Sequence, residues 1–249
     1  PVLYGALAAR LAGVQAVAVV TGLGYLFLTP GLGGAISGVI LYDETLRQST
    51  ADGTPMTELL KRQGIIPGIK VDQGTKSLAG FPGEKITEGL DGLRERLANY
   101  FKLGARFAKW RAVIDIGADI PSSTCIAANA HALARYAAIC QEAGLVPIVE
   151  PEVLMDGDHN IERCEQVTEW TLNAVYEALY MNRVSLEGSV LKPSMVISGK
   201  KCPRQAGVQE VAERTVCILK RTVPAAVAGI AFLSGGQSDE VATAHLDAM

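Results

Sequence analysis

Six short apolar runs recur along the chain, at residues 36–44 (ISGVILYDE), 65–72 (IIPGIKVD), 105–116 (ARFAKWRAVIDI), 145–153 (LVPIVEPEV), 188–196 (GSVLKPSMV) and 227–236 (VAGIAFLSGG). They are rich in Val and Ile and read as continuous apolar stretches, as strands buried on both faces of a parallel sheet do. Between them the period lengthens to that of a helix. Leu90, Leu93, Leu97, Tyr100 and Phe101 form one stripe, stopped at Gly104; Ile126, Leu133, Tyr136, Ala137 and Cys140 form another, ended by Gly144. Ile161, Cys164, Val167, Leu172, Val175 and Leu179 form a third, and Val208, Val211, Ala212, Thr215 and Leu219 a fourth, closed by Pro224. Strand then helix, repeated, predicts a parallel α/β sheet with right-handed crossovers.

Polar residues punctuate these strands at a steady interval. Lys70, Lys109, Glu150, Lys192 and Ser234 are separated by 39, 41, 42 and 42 residues, and each falls late in its run. A (β/α)8 TIM barrel gathers its active site there, because the loops after its strands converge on one rim. A doubly wound sheet would collect such residues at a single crevice instead. The expected architecture is therefore one barrel domain over 1–249. Eight units of about 40 residues would need roughly 320, so the chain is expected to be incomplete at both ends, lacking a last unit and a proper first strand.

Composition narrows the function. Of 249 residues, 49% are hydrophobic, enough for a full core, and the net charge of −3 comes from interspersed charges, which offers no surface to nucleic acid. The five cysteines contain no C-x-x-C pair and fall mostly in apolar helical runs, which points to reduced thiols and a cytoplasmic protein. From Leu11 to Tyr42 there is no formal charge, but glycines, Gln15 and Thr21 interrupt the run, so no membrane span is expected.

The candidate chemistry centres on Lys192, a lysine inside an apolar run. Two readings stand: a side chain that snorkels to water, or an amine buried so that it can lose its proton and act as a nucleophile. Glu150 and Glu152 are two apart and face the same way in a strand, as do Lys109 and Arg111. If these faces meet Lys192 in one pocket, a neighbouring ammonium such as Lys109 and desolvation both favour the neutral amine, while the glutamates oppose it. The stretch LSGGQS (233–238) follows a strand and opens a helix, where small residues let backbone N–H groups approach an anion. It also has the letters of a transporter-ATPase signature, but the chain contains no G-x-x-x-x-G-K-[ST]. The three histidines are far apart and DGDH (156–159) reads as a capping loop, so no metal and no cofactor are expected.

The stretches GVILYDETLRQST, GIKVDQG, FAKWR, VPIVEPEVLMDGDH, LKPSMV and FLSGGQS together resemble class I fructose-1,6-bisphosphate aldolase, in order and spacing, from about Leu28 to Met249. The resemblance implies a (β/α)8 barrel, usually a homotetramer, that reversibly cleaves a sugar bisphosphate without metal. It implies Lys192 as the Schiff-base lysine, Glu150 as the acid/base for carbinolamine dehydration with Glu152 in support, and Lys109 beside the imine. It places Lys70 and Arg111 toward one substrate phosphate, and Ser234 with Gly235 at the other. The family's first-strand aspartate motif, an eighth-strand arginine and a C-terminal tyrosine have no counterpart here, residues 1–27 match nothing in the family pattern, and a polypeptide ending at Met249 is expected to be inactive. Two alternatives stay open: another Schiff-base barrel lyase or transaldolase-like enzyme on a smaller sugar phosphate, and a non-catalytic scaffold on the same fold.

Overall fold

The structure, a computed structural model, describes residues 31–249 together with the backbones of two three-residue strands, β1 (Ala6–Ala8) and β2 (Val17–Val19). The atypical segment 1–27 and most of the charge-free stretch otherwise lie outside the described residues. Among the described residues, no helix is long and apolar enough to cross a membrane.

Each apolar run contains a strand. They are β3 (Gly38–Leu41), β4 (Ile66–Lys70), β7 (Phe107–Ile114), β8 (Val146–Val153), β9 (Val190–Leu191) and β10 (Gly229–Leu233). With β2 they pair in parallel, in chain order, and β1 lies antiparallel on the far edge of β10. The parallel α/β reading holds, as an open half-barrel sheet. Helices cover its outer side: α3 (Leu93–Lys102), α4 (Ser123–Glu142), α5 (Ile161–Met181), α6 (Val208–Thr222) and α7 (Asp239–Asp247). Two short helices precede β4, α1 (Asp43–Arg47) and α2 (Met56–Arg62).

Local chemistry sets the helix ends. The side chains of Ser122, Asn160 and Ser238 accept the backbone N–H of Cys125, Arg163 and Val241, satisfying first-turn donors of α4, α5 and α7. Gly104 and Gly144 follow α3 and α4 with φ of 107° and 75°, a left-handed turn that glycine enters without penalty.

The longest pairing is between β7 and β8, eight residues matched from Phe107↔Val146 to Ile114↔Val153. Behind it Trp110, fully buried, stacks on Tyr136 of α4 at 5.6 Å between ring centres. The Tyr136 hydroxyl donates to the carbonyls of Ala108 (2.7 Å) and Ile148 (3.1 Å), tying the helix to both strands. On the opposite face Phe107 lies flat on Gly68, where a Cβ would stand 2.1 Å from its ring. A hairpin that no apolar run foretells, β5 (Thr75–Ser77) with β6 (Lys85–Thr87), follows β4.

One expectation needs correction. Lys109 is the third residue of β7 and Glu150 the fifth of β8, so neither is late in its strand. The two long strands run past their neighbours: Lys109 is level with Lys70, where β4 ends, and Val149 is level with Leu191, where β9 ends. The polar groups still share one rim, because the rim is set by the shorter strands.

Candidate active site

Four strands deliver the site. β4 carries Lys70 at its last position and Asp72 two residues on; β7 carries Lys109 and Arg111; β8 carries Glu150 and Glu152; β9 hands the chain to Lys192. The period-2 geometry of β7 and β8 turns each of these pairs to one face. Lys192 continues the ladder by donating its backbone N–H to Val149 at 2.8 Å; Pro193, which has no N–H, comes next, and β9 ends there.

The side chains form a line of alternating charge. Glu150 bonds the Lys192 ammonium through Oε1 and faces the Lys109 ammonium at 3.0 Å through Oε2. Lys109 in turn lies 3.6 Å from Oδ2 of Asp72, whose Oδ1 is 2.7 Å from Lys70. Beside this line Arg111 pairs with Glu152.

Burial divides the line into two tiers. The side chains of Lys109 and Lys192 are each 7% exposed and that of Glu150 5%, whereas Lys70 is 23% and Arg111 43% exposed. The inner tier is buried, and each of its side chains faces a partner of opposite charge, as buried charges require. The outer tier is open to solvent and presents two cations that can meet an incoming anion.

Burial pushes the Glu150 carboxyl up, but the ammoniums of Lys109 and Lys192 outweigh it and hold its pKa below the usual glutamate range. Burial disfavours the Lys109 ammonium, and the carboxylates of Glu150 and Asp72 more than offset this, so its pKa lies above the ordinary lysine value. Arg111 behaves in the same way through Glu152.

Ser234 and Gly235 are not bonded to this network. They sit on the loop after β10, the strand next to β9, and Leu233 donates its N–H to the Pro193 carbonyl at 3.3 Å, which fixes that loop beside Lys192. Gly235 and Gly236 both have positive φ (64° and 92°) ahead of α7. Among the described residues, no group of three His, Cys, Asp or Glu side chains is placed to hold a metal ion.

Asp72 is the residue that sequence reasoning passed over. It lies inside the quoted run IIPGIKVD, two positions after Lys70, and the same two-residue spacing that pairs Lys109 with Arg111 would have placed it on the Lys70 face.

An open parallel half-barrel with buried lysines and carboxylates gathered on one rim defines a (β/α)-barrel enzyme of the kind that keeps its chemistry at the ends of its strands. The comparisons with known proteins are specific. The sequence model of one family, fructose-bisphosphate aldolase class-I (glycolytic), matches residues 24–249. A probable fructose-bisphosphate aldolase class 1 from Xanthomonas campestris pv. campestris is 66% identical over 224 residues, covering 90% of this chain and 67% of the relative. The cytosolic fructose-bisphosphate aldolase 6 of Arabidopsis thaliana is 57% identical, covering 90% and 62%. Among solved structures, fructose-bisphosphate aldolase from Plasmodium falciparum, crystallised with TRAP and a small-molecule inhibitor, superposes with a TM-score of 0.87 at 51% identity, over 89% of this chain and 65% of that one. The chain belongs to the class I fructose-bisphosphate aldolases, a family of lyases, and spans about two thirds of the length of these relatives.

Proposed function

We propose that the whole protein, through the single barrel domain to which this chain contributes, reversibly cleaves fructose 1,6-bisphosphate to dihydroxyacetone phosphate and glyceraldehyde 3-phosphate through an imine on Lys192. The observation that carries this reading is the buried contact of the Lys192 ammonium with Glu150, a carboxylate that also faces Lys109.

The Lys192–Glu150 contact suits the opening step. Proton transfer from Lys192 to Glu150 makes a neutral amine and a carboxylic acid at once, the two groups the first step needs. The amine nitrogen bonds to C2 of the open-chain sugar, whose carbonyl oxygen takes a proton to give a carbinolamine. Glu150 then protonates that hydroxyl, the C2–O bond breaks and water leaves, with the imine nitrogen holding the positive charge. Glu150, a carboxylate again once water has left, can take the C4 hydroxyl proton; the C3–C4 bond then breaks and its electrons move onto the imine, giving an enamine and releasing glyceraldehyde 3-phosphate. Protonation at C3 and hydrolysis return dihydroxyacetone phosphate and the free amine. Lys109, fixed between two carboxylates, is the cation beside the developing oxyanion. Glu152 holds Arg111.

The half-open cations Lys70 and Arg111 suit one phosphate, and the Ser234–Gly235 loop suits the other. The Xanthomonas, Arabidopsis and Plasmodium relatives are named fructose-bisphosphate aldolases, and one is named cytosolic. With the five free thiols this supports a cytoplasmic enzyme, and we assign it the homotetrameric state of its family. The test is cleavage of fructose 1,6-bisphosphate by the full-length protein in the presence of EDTA. Sustained turnover supports the reading; an inactive protein, or one silenced by EDTA, overturns it.

A further inference from the structure

Two buried lysines share Glu150, yet the reaction needs them in different states: one must lose its proton to attack, and the other must stay charged. Their exposure is the same, 7% for each side chain, and both ammoniums lie against Glu150, Lys192 hydrogen-bonded to Oε1 and Lys109 3.0 Å from Oε2, so burial does not distinguish them. The difference lies on the far side of Lys109. Oδ2 of Asp72 is 3.6 Å from the Lys109 ammonium, and no second carboxylate contacts Lys192 among the described residues.

We infer that Asp72 is a positioning residue that divides the labour between the two lysines, holding Lys109 as a permanent cation and leaving Lys192 as the lysine free to become the nucleophile. The inference rests on the imine reading above. Glu150 is charged in one part of the cycle and protonated in another. Without Asp72, each protonation of Glu150 would strip Lys109 of its counter-charge. With Asp72, Lys109 keeps a carboxylate throughout.

Asp72 is itself built in. It is 8% exposed, and its side chain is anchored by more than the lysines: Oδ1 accepts the Gly74 N–H at 3.3 Å and Oδ2 the Arg111 N–H at 3.4 Å. Lys70 completes the arrangement, with 2.7 Å to Oδ1 and a bond to the Asp72 carbonyl at 2.8 Å. The charged groups facing Lys109 are thus Asp72 and Lys70 from β4 and its end, Glu150 from β8 and Arg111 from β7 itself. Among the described residues, Asp72 is the one carboxylate that contacts Lys109 without contacting Lys192.

The test is the distribution of reduced adducts. Dihydroxyacetone phosphate and borohydride are added to the full-length protein and its Asp72→Asn variant. The amine nitrogen bonds to the ketone carbon, water leaves, and hydride from borohydride reduces the imine to a secondary amine that survives digestion and mass mapping. In the unsubstituted protein the adduct is expected on Lys192 alone. In Asp72→Asn the neutral fraction of Lys109 is expected to rise by about 10-fold or more, given the loss of a charge at this range. The Lys109 peptide should then carry adduct, with kcat lowered more than KM is raised.

Adduct confined to Lys192 in the variant, with an unchanged kcat and pH profile, would overturn the role of Asp72. Adduct on neither lysine in the unsubstituted protein would overturn the imine reading instead. Should Asp72→Asn fail to fold, trace labelling of the unsubstituted protein with acetic anhydride decides the matter. Lys192 acylated faster than Lys109 near neutral pH supports the division, and equal rates contradict it.

Discussion

Lys192 is bonded to Glu150, 42 residues away in the chain, inside a site where both side chains are almost wholly shielded from water. An isolated ammonium in such a place would cost several kcal/mol in desolvation, so a lysine stays there only with a partner. Because that partner can also take its proton, one contact both stabilises the resting state and prepares the reaction.

Replacing Lys192 with Met removes the nucleophile but leaves Glu150 paired with Lys109. Turnover of fructose 1,6-bisphosphate is expected to fall by ~10³-fold or more while the folded state persists. Steady-state kinetics alongside circular dichroism check this. Residual activity within tenfold of the original would remove Lys192 from the chemistry.

Glu150→Gln keeps the shape and removes the proton donor and acceptor. Its kcat is expected to drop by about 10²–10⁴-fold. It also leaves two buried ammoniums without their shared carboxylate, a change expected to cost about 3–5 kcal/mol by urea unfolding. A variant that is both stable and active would contradict the central place given to Glu150.

The same carboxylate sets a pH dependence. Its folded pKa lies below the ordinary glutamate value, so its contribution is complete above the unfolded value of about 4.3 and is lost as pH falls through the folded value. The urea midpoint of the unsubstituted protein should therefore decline on going from about pH 5 to pH 3, and decline less steeply in Glu150→Gln. Parallel curves would show that the pair does not depress the Glu150 carboxyl.

Gly68→Ala tests the close approach that seats β4 against β7. The added methyl would meet the Phe107 ring at 2.1 Å and force it aside, two residues before Lys109. A loss of about 1–3 kcal/mol is expected by chemical denaturation. A neutral result would show that the ring is free to move.

Much of this was legible in the chain. The cadence of apolar runs gave the strands and their parallel order, since a buried parallel strand has to be apolar on both faces and so stands out. Lys70, Lys109, Glu150 and Lys192 were visible because a charge inside such a run needs a reason. The β5–β6 hairpin was not, because Thr75, Lys76 and Ser77 are all exposed and carry no apolar signal. The short extent of β9 is hidden in the run 188–196 for a physical reason: residues 191–199 are all buried, but Pro193 lacks the donor that would continue the ladder. Asp72 escaped notice because one acid near the end of a strand looks like ordinary surface punctuation. The spacing places it beside Lys70, but only the fold brings Lys109 to its other side.

The most direct test of the central claim is peptide mapping of the full-length protein after borohydride reduction with dihydroxyacetone phosphate. The account predicts a single adduct, on the peptide that contains Lys192. An adduct on a different lysine, or none at all, would contradict it.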